Sequence, residues 1–288
     1  MLNKIGFKIG HYSNCSVIIC PENTVGSYYS LGYAPGSREL ELLKPDKTVN
    51  IVNAILLTGS SVFGLIRAEG VIKFLVENNV GYKTPFKTIP IVPSAVIYDF
   101  GVLDISPKLE DGYNACMSAG YDITIGKVGV GMGATVGKWA GFEYKDEGGL
   151  GFYGYEYKDL VVCCVSVVNS VGDIVGRDGR ILKGAKKDNS FLAQSLKFRS
   201  IRLLDNTNTT LIVILTNAKL SKLECYKLSK RSVYGVCRAI EPAFTSYDGD
   251  IIFTLSKGEV DFDFEDLCEI TNFVVSESIR SVAQNKFS

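Results

Sequence analysis

The stretch Asp205-Asn206-Thr207-Asn208-Thr209-Thr210, followed by Leu211-Ile212-Val213-Ile214-Leu215, joins a short polar run directly to an apolar run. The apolar run is typical of a buried strand, because it is short and rich in aliphatic and β-branched residues. The polar run alone predicts a turn, since Asn, Asp and Thr are common in turns and at strand entries. The same junction would also hold a threonine hydroxyl at a fixed position at the mouth of a sheet.

Extended and helical patterns alternate on both sides of this stretch. Apolar or proline-containing segments predict extended chain at residues 14–20, 51–57, 89–100, 161–168, 211–216 and 251–255. Apolar residues at helical spacing predict helices at residues 61–79, with Ser60 or Ser61 as the cap, and at 113–119, 219–240 and 264–283. This alternation predicts an α/β or α+β fold, and we expect a single domain over residues 1–288.

The bulk composition argues against several classes of function. Lys+Arg and Asp+Glu both number 31, so no charge excess points to nucleic acid or to an anionic membrane. The N-terminus lacks the apolar segment of a signal peptide, and no apolar run has the length that spans a bilayer. We therefore expect a cytoplasmic protein that binds neither nucleic acid nor membrane.

The cysteines and the single histidine, His11, argue against metal chemistry. None of the eight cysteines forms a C-x-x-C pair, and one histidine does not complete a usual zinc site. A cysteine nucleophile would have His11 as its only histidine partner. Cys163 and Cys164 lie in a strand-like run, where thiols serve as small core residues. We expect neither a metal nor a cofactor.

A glycine-rich tract at residues 129–138 suggests a nucleotide-binding loop. A P-loop needs G-x-x-x-x-G-K-[ST], but Gly131 lies one residue too early and Lys138 is followed by Trp139. A dinucleotide fingerprint needs G-x-G-x-x-G in a βαβ unit, which the tract lacks. A loop in which backbones approach closely is the simpler interpretation, with a nucleotide-binding oxidoreductase or kinase-like protein as an alternative.

Two further polar groups are candidates for chemistry. Asp248 and Asp250 flank Gly249 just before an apolar strand, where two carboxylates orient an amine, bind a cation or form a turn. The amide of Asn169, at the end of the predicted strand at 161–168, is a possible oxyanion donor. The same Asn169 is equally suited to a turn, so neither feature is specific on its own.

Nine segments, taken in order, resemble the motifs of the DmpA-like aminopeptidases: L-aminopeptidase/D-esterases, β-peptidyl aminopeptidases and the nylon-oligomer hydrolase. They lie at residues 20–22, 34–39, 57–65, 90–99, 128–138, 148–151, 168–173, 208–211 and 244–253. Examples are Gly148-Gly149-Leu150-Gly151 and Asn208-Thr209-Thr210-Leu211. The resemblance covers nearly the whole chain, and nine ordered motifs are far more specific than any one of them.

This resemblance implies a fold and a processing step. Members of the family form a four-layer αββα sandwich that is like the N-terminal-nucleophile hydrolases but differs in connectivity. Each is made as one chain that cuts itself and exposes a Ser or Thr as a new N-terminus. The motifs put the cut between Asn208 and Thr209, which would leave an α chain of residues 1–208 and a β chain of residues 209–288. Members assemble as symmetric homo-oligomers.

The resemblance also implies roles for individual residues in an aminopeptidase that acts on peptides, amides or esters. Thr209 would be the nucleophile, and its freed α-amine, with an ordinary pKa of about 7.7–8, would be the base. Asn169 would stabilise the oxyanion, and Asp248 with Asp250 would form an acidic pair that orients the amine. Tyr98 matches a tyrosine that lines the family's site.

The chain departs from the family pattern immediately before Gly148. The family usually has an active-site Lys there, and this chain has Glu147. Lys145 or Lys138 would supply the missing cation; alternatively, the pocket is remodelled or activity is lost. A carboxylate beside the acidic pair would raise the pKa of a neighbouring aspartate and of the new amine. A catalytically impaired or unprocessed relative that binds a small molecule is therefore the alternative function.

Overall fold

The computed structural model describes residues 1–193, 199–201 and 208–284. Residues Asp205 to Thr207 of the predicted turn lie outside the described residues. The helices are α1 (Leu2–Ile5), α2 (Arg67–Glu77), α3 (Leu109–Met117), α4 (Lys222–Arg231), α5 (Val233–Cys237) and α6 (Phe264–Ser281). The strands are β1 (Lys8–Tyr12), β2 (Cys15–Ile19), β3 (Val25–Ser30), β4 (Ser37–Arg38), β5 (Ala54–Thr58), β6 (Tyr82–Lys83), β7 (Thr88–Ile89), β8 (Ser94–Val96), β9 (Thr135–Val136), β10 (Asp146–Glu147), β11 (Gly149–Tyr157), β12 (Leu160–Asn169), β13 (Asp173–Val175), β14 (Ile181–Lys183), β15 (Lys186–Lys187), β16 (Ser190–Phe191), β17 (Thr209–Ala218), β18 (Ile240–Glu241) and β19 (Ile251–Val260).

The first of the two large sheets has the strand order β1-β2-β5-β8-β4. Successive side chains of a strand point to opposite faces, and β5 divides accordingly. Its Leu56 packs with residues of α2 and α3, whereas Ile55 and Leu57 join the core between the two sheets. One face of this sheet is thus covered by helices and the other by the second sheet.

The second large sheet has the order β11-β12-β17-β19-β3. In β17, Leu211 and Val213 face the core between the sheets, and Ile212 and Ile214 face the helices α4 and α6. Because both faces are covered, every residue of β17 is buried, which explains why its central residues 211–215 are continuously apolar rather than alternating. The four layers confirm the predicted α/β class and the αββα sandwich.

Two local predictions about helices were wrong. The helix predicted at 219–240 is broken into α4 and α5 at Ser232, and Ile240 leaves the helical path to pair with Ile174 in a small sheet. Residues Ser61–Ile66 form a 3₁₀ helix ahead of α2; Ser60 occupies its N-cap position, but the Ser60 side chain makes no capping hydrogen bond. Ser60 instead has φ +63° and donates to the carbonyl of Ile105 at 3.2 Å. These tertiary contacts override the local periodicity.

Within the described part of the chain, no helix combines the length and the apolar character needed to cross a membrane.

Candidate active site

The topology of the second sheet brings the predicted site residues to one edge. Strands β12 and β17 are antiparallel, and Asn169 at the end of β12 lies opposite Thr209 at the start of β17. Strand β19 runs parallel to β17, so the chain that enters β19 lies beside the chain that enters β17. Asn208 forms a bridge with Asp248 there. Strand ends that are far apart in sequence therefore meet at a single site.

The peptide group between Asn208 and Thr209 is held on several sides. The Thr209 hydroxyl donates to the Asn208 carbonyl oxygen at 2.6 Å, and the Gly249 N–H donates to the same oxygen at 2.8 Å. The following N–H, of Thr210, donates to Asp250 Oδ1. Asn208 is 2% exposed and Thr209 is 6% exposed. The carbonyl of Asn208 is thus polarised by two donors inside a closed environment.

Asn169 is fully buried, and its amide is oriented by contacts at both ends. Its Oδ1 accepts from the Thr135 N–H at 3.0 Å and from Lys138 Nζ at 2.9 Å. Its Nδ2 donates to the carbonyl oxygen of Tyr98 at 3.1 Å. With the oxygen committed to these donors, the NH₂ group is the end of the amide that is suited to meeting an oxyanion.

Lys138 is the cation at this site. It follows Gly137, which has φ +69°, and its side chain is only 1% exposed. Its Nζ also donates to the Asn169 carbonyl at 3.2 Å. Burial lowers the pKa of Lys138 to about 7, against the opposing attraction of Asp248 and Asp250. A lysine with this pKa exchanges its proton near neutral pH.

The two carboxyl groups are buried as well. Asp248 Oδ2 accepts from the Thr245 N–H at 2.8 Å and from its hydroxyl at 2.6 Å. Burial raises the pKa of Asp248 and raises that of Asp250 well above the ordinary value, and the charge of Asp248 raises the latter further. Asp248, Asp250 and Lys138 therefore form a cluster of ionisable groups, and burial disfavours the charged form of each of them.

The other predicted site residues lie differently. Tyr98 contributes its carbonyl to Asn169, whereas its ring is 40% exposed and packs on Phe100 with the centroids 5.2 Å apart. Lys145 lies over the ring of Phe142, with Nζ 4.1 Å from the centroid. Glu147 is exposed and lines a separate cleft with Lys127. Asp248 and Asp250, in contrast, are buried.

Sequence reasoning missed two donors of the site. Thr135 orients Asn169 through its backbone N–H, and Gly249 donates its backbone N–H to Asn208. A backbone donor leaves no residue-type signature, so its position follows only from the fold. The signal for Lys138 was present, since a lysine after the glycine-rich tract matched the motif at 128–138.

The alternatives that relied on His11 or on a metal have no geometric support among the described residues. His11 is paired with Ser16 through Nδ1 and Oγ, 2.8 Å apart, and burial lowers the pKa of His11 to about 4. Burial raises the pKa of Cys163 and of Cys164 to about 12, so these thiols are neutral. The described chain contains no cluster of three or more His, Cys, Asp or Glu side chains that is arranged to hold a metal ion.

Comparison with known proteins shows the family. The model of peptidase family S58 matches residues 13–286. An uncharacterized aminopeptidase of Mycobacterium tuberculosis (strain ATCC 25618 / H37Rv) is 34% identical over 283 residues, which cover 88% of this chain and 80% of that protein. A 6-aminohexanoate-oligomer endohydrolase of Paenarthrobacter ureafaciens is 29% identical over 220 residues, which cover 73% of this chain and 61% of that enzyme.

Two solved structures share the fold. The L-aminopeptidase D-Ala-esterase/amidase of Ochrobactrum anthropi, described as a variant of the Ntn hydrolase fold, has a TM-score of 0.71 and 14% identity over 96% of this chain and 83% of that chain. A β-aminopeptidase of Burkholderia sp. has a TM-score of 0.69 and 15% identity over the same shares. The chain belongs to peptidase family S58, the DmpA-like family that the motifs predicted, and is a hydrolase of peptide or amide bonds.

Proposed function

We propose that this hydrolase is a self-processing aminopeptidase with Thr209 as its nucleophile. The chain cuts itself between Asn208 and Thr209, and the new N-terminal threonine then releases N-terminal residues from peptides, amides or esters. The observation that carries the proposal is the buried Asn208–Thr209 peptide group, whose carbonyl accepts from the Thr209 hydroxyl at 2.6 Å and from the Gly249 N–H at 2.8 Å. Asn169 lies opposite Thr209 in the sheet.

The self-cleavage step is an acyl shift from nitrogen to oxygen. Thr209 Oγ1 attacks the carbonyl carbon of Asn208, the C–N bond breaks, and the nitrogen of Thr209 takes up a proton as the ester forms. Water then hydrolyses the ester to a carboxylate on Asn208 and a free hydroxyl on Thr209. Negative charge develops on the Asn208 oxygen during attack, where the Gly249 N–H already donates.

The proton of the Thr209 hydroxyl needs an acceptor before the cut, because the future α-amine is still an amide. We assign this role to Lys138, since its pKa of about 7 leaves a substantial neutral fraction at physiological pH. Its ammonium form then returns the proton to the leaving nitrogen. Lys138 Nζ belongs to the same cluster, since it donates to Asn169 Oδ1 at 2.9 Å and Asn169 lies opposite Thr209 in the sheet.

Turnover of substrate uses the same cluster after the cut. The α-amine of Thr209, with an ordinary pKa of about 7.7–8, becomes the base for its own hydroxyl. Asp248 and Asp250 hold and orient that amine, and the Asn169 NH₂ group stabilises the oxyanion. A donor of this kind contributes about 2.7–4 kcal/mol to the transition state.

We favour the active enzyme over the alternative of an impaired relative. That alternative was based on Glu147 as a replacement for the site lysine, yet Glu147 is exposed in another cleft and the buried Lys138 contacts Asn169. The presence of a buried cation beside the acidic pair favours the active enzyme.

Hydrolysis of a panel of aminoacyl p-nitroanilides tests the proposed activity. The wild-type protein should hydrolyse at least part of the panel, and Thr209→Ala should be inactive because it lacks the nucleophile. Thr209→Ser keeps a hydroxyl on the same backbone and should retain measurable activity. Wild-type activity that survives in Thr209→Ala would contradict the proposal.

We also propose that the chain assembles as a symmetric homo-oligomer, as members of the family do. Sedimentation velocity of the purified protein tests this assembly. A mass of a single chain at micromolar concentration would contradict it.

A further inference from the structure

Asp99 is a buried carboxylate that directly follows Tyr98, the residue whose carbonyl accepts from Asn169. Its Oδ1 accepts from the Ser60 N–H at 2.7 Å, and its Oδ2 accepts from Asn14 Nδ2 at 3.2 Å. Both carboxylate oxygens are thus held by donors from other stretches of chain. Because the Tyr98 carbonyl belongs to the peptide group that joins Tyr98 to Asp99, these contacts hold that carbonyl in place as well.

The carboxyl group of Asp99 has little room to move. A Cβ at Gly59 would overlap Asp99 Oδ2, and a Cβ at Gly133 would lie 2.6 Å from both the Cβ and the Oδ2 of Asp99. Gly133 precedes Thr135 by two positions, and the Thr135 N–H donates to the oxygen of Asn169 at 3.0 Å. Asp99 thus connects the segment that holds the nitrogen end of the Asn169 amide with the segment that holds its oxygen end.

The backbone that donates to Asp99 has an uncommon conformation. Ser60 has φ +63° and Ser61 has φ +50°, which is the left-handed region that residues other than glycine rarely adopt. The Ser61 N–H donates to the Ile97 carbonyl at 3.0 Å, and the Ile97 N–H donates to the Thr58 carbonyl at 2.9 Å. Such conformations persist where the surrounding contacts determine them, and they are concentrated at functional sites. This segment therefore gives Asp99 a fixed partner.

We propose that Asp99 is a positioning residue for Asn169, which it orients through the carbonyl of Tyr98. One N–H of the Asn169 amide donates to that carbonyl at 3.1 Å, and because the amide group is planar, this contact sets the direction of its second N–H. A donor stabilises an oxyanion only if it points at the place where the charge develops. This inference rests on the proposed function, in which Asn169 is that donor.

Loss of the Asp99 carboxylate should lower turnover without weakening the binding of substrate. Asp99→Ala removes both contacts, so its kcat should be about tenfold or more below that of the wild type, with a KM within about threefold, because an oxyanion contact is made only in the transition state. Asp99→Asn keeps an oxygen for the Ser60 N–H and should recover part of this loss. The kcat is expressed per cut chain, with the cut fraction measured on a denaturing gel.

Glu277→Ala is the matched control. Glu277 is a carboxylate of α6 whose side chain is 11% exposed, and it accepts from Arg177 Nε at 3.1 Å and from Arg280 Nη1 at 2.7 Å. It lies in the helical layer, outside the proposed cluster. Its loss should lower the Tm, because it leaves a buried cation uncompensated, yet the kcat should stay at the wild-type value. A fall in kcat that only follows lower stability would appear in both variants.

Combination with Asn169→Ala separates a positioning role from a structural one. If Asp99 acts through Asn169, the protein with both Asp99→Ala and Asn169→Ala should have the kcat of Asn169→Ala alone, within about twofold, because no amide is left to orient. A structural role would add its own loss to that of Asn169→Ala. If Asn169→Ala is not cut, Asp99→Ala should itself be cut at least about tenfold more slowly than the wild type, and cutting at the wild-type rate overturns the role.

If Asp99→Ala does not fold, Asn14→Ala replaces it, because it removes the contact to Asp99 Oδ2 and leaves the Ser60 contact in place. Its smaller loss of kcat should also disappear in the Asn169→Ala background. A wild-type kcat in Asp99→Ala, or additive losses in the double variant, overturns the role of Asp99 and leaves the proposed function intact. Normal turnover in Asn169→Ala overturns the proposed role of Asn169 and this inference with it, and a wild type that hydrolyses no substrate overturns the proposed function as well.

Discussion

At the scale of single residues, the cluster around Thr209 contains ionisable groups whose pKa values are shifted by burial. Lys138, Asp248 and Asp250 are each at most 2% exposed. The pKa of the lysine is lowered and those of the carboxyl groups are raised, in each case mainly by loss of hydration. Such shifts disfavour the charged forms that water would favour, and they provide a proton acceptor near neutral pH.

The pH dependence of self-cleavage should follow the neutral fraction of Lys138. With a pKa of about 7, that fraction rises as the pH increases through neutrality, so the rate should climb about tenfold per pH unit on the acid side and then level off. Lys138→Arg keeps a cation but does not lose its proton, so it should cleave at least about a hundredfold more slowly. A timed series of gels over the pH range checks both; near-normal cleavage in Lys138→Arg would show that only charge matters.

Asp250→Asn should stabilise the uncut chain at mildly alkaline pH. A carboxyl whose pKa is higher in the folded than in the unfolded chain stabilises the fold while it is protonated, and this stabilisation is lost as the pH rises through the folded pKa. An asparagine is neutral throughout and still offers an oxygen to the Thr210 N–H. Thermal unfolding in a Thr209→Ala background, where both proteins stay uncut, should show a Tm higher by a few degrees at mildly alkaline pH. A Tm difference between the two proteins that does not shrink at acid pH would contradict this explanation.

At the scale of elements, the entries of β17 and β19 fit closely because Gly249 has no side chain. A Cβ at Gly249 would lie 2.5 Å from the Ala34 carbonyl oxygen and 3.0 Å from Thr209 Oγ1. Gly249→Ala should therefore cost about 1–3 kcal/mol through overpacking and should slow cleavage by displacing the bond. Gly120→Ala is the control, because a Cβ there meets nothing within 4 Å. Equal Tm values and equal cleavage rates in the two variants would rule out this packing argument.

Strands that are buried on both faces could be predicted from the sequence. Strands β12 and β17 are buried on both faces, so their apolar runs identify them directly. The helix predicted at 219–240 failed because its break at Ser232 and the pairing of Ile240 with Ile174 are set by contacts with distant residues. Periodicity within a window contains no information about such partners.

The same distinction applies to the candidate site. Thr209, Asn169, Asp248 and Asp250 were identified by ordered motifs, and the sheet brings all four to one edge. Lys138 was only one of two proposed cations, because sequence spacing does not tell which lysine is buried. The orientation of Asn169 by the Thr135 N–H depends on a backbone donor, which follows from the fold alone.

At the scale of the whole molecule, the proposed cut would fall inside the second sheet rather than at a boundary between separable parts. Strand β17 pairs with β12 along eight residue pairs, and β19 pairs with β3 along six. Both strand pairs join residues 1–208 to residues 209–288. The buried Lys222 adds hydrogen bonds to three carbonyls of the loop at residues 42–49.

The two fragments should therefore remain together after complete cleavage. Size-exclusion chromatography of the cut protein without denaturant should give one peak that contains both fragments, and guanidinium should be needed to separate them. The uncut Thr209→Ala protein is the control and should elute at the same volume. Separate elution of the fragments in native buffer would mean that these strand pairs do not hold the two fragments together.

The central claim is that the bond between Asn208 and Thr209 is broken by the hydroxyl of Thr209. Intact mass spectrometry of purified wild-type and Thr209→Ala protein, before and after a long incubation at neutral pH, tests it most directly. We predict that the wild type resolves into two masses, those of residues 1–208 and 209–288, while Thr209→Ala keeps the single mass of residues 1–288. A wild-type protein that keeps the full-length mass, or one that is cut at another bond, would contradict the account.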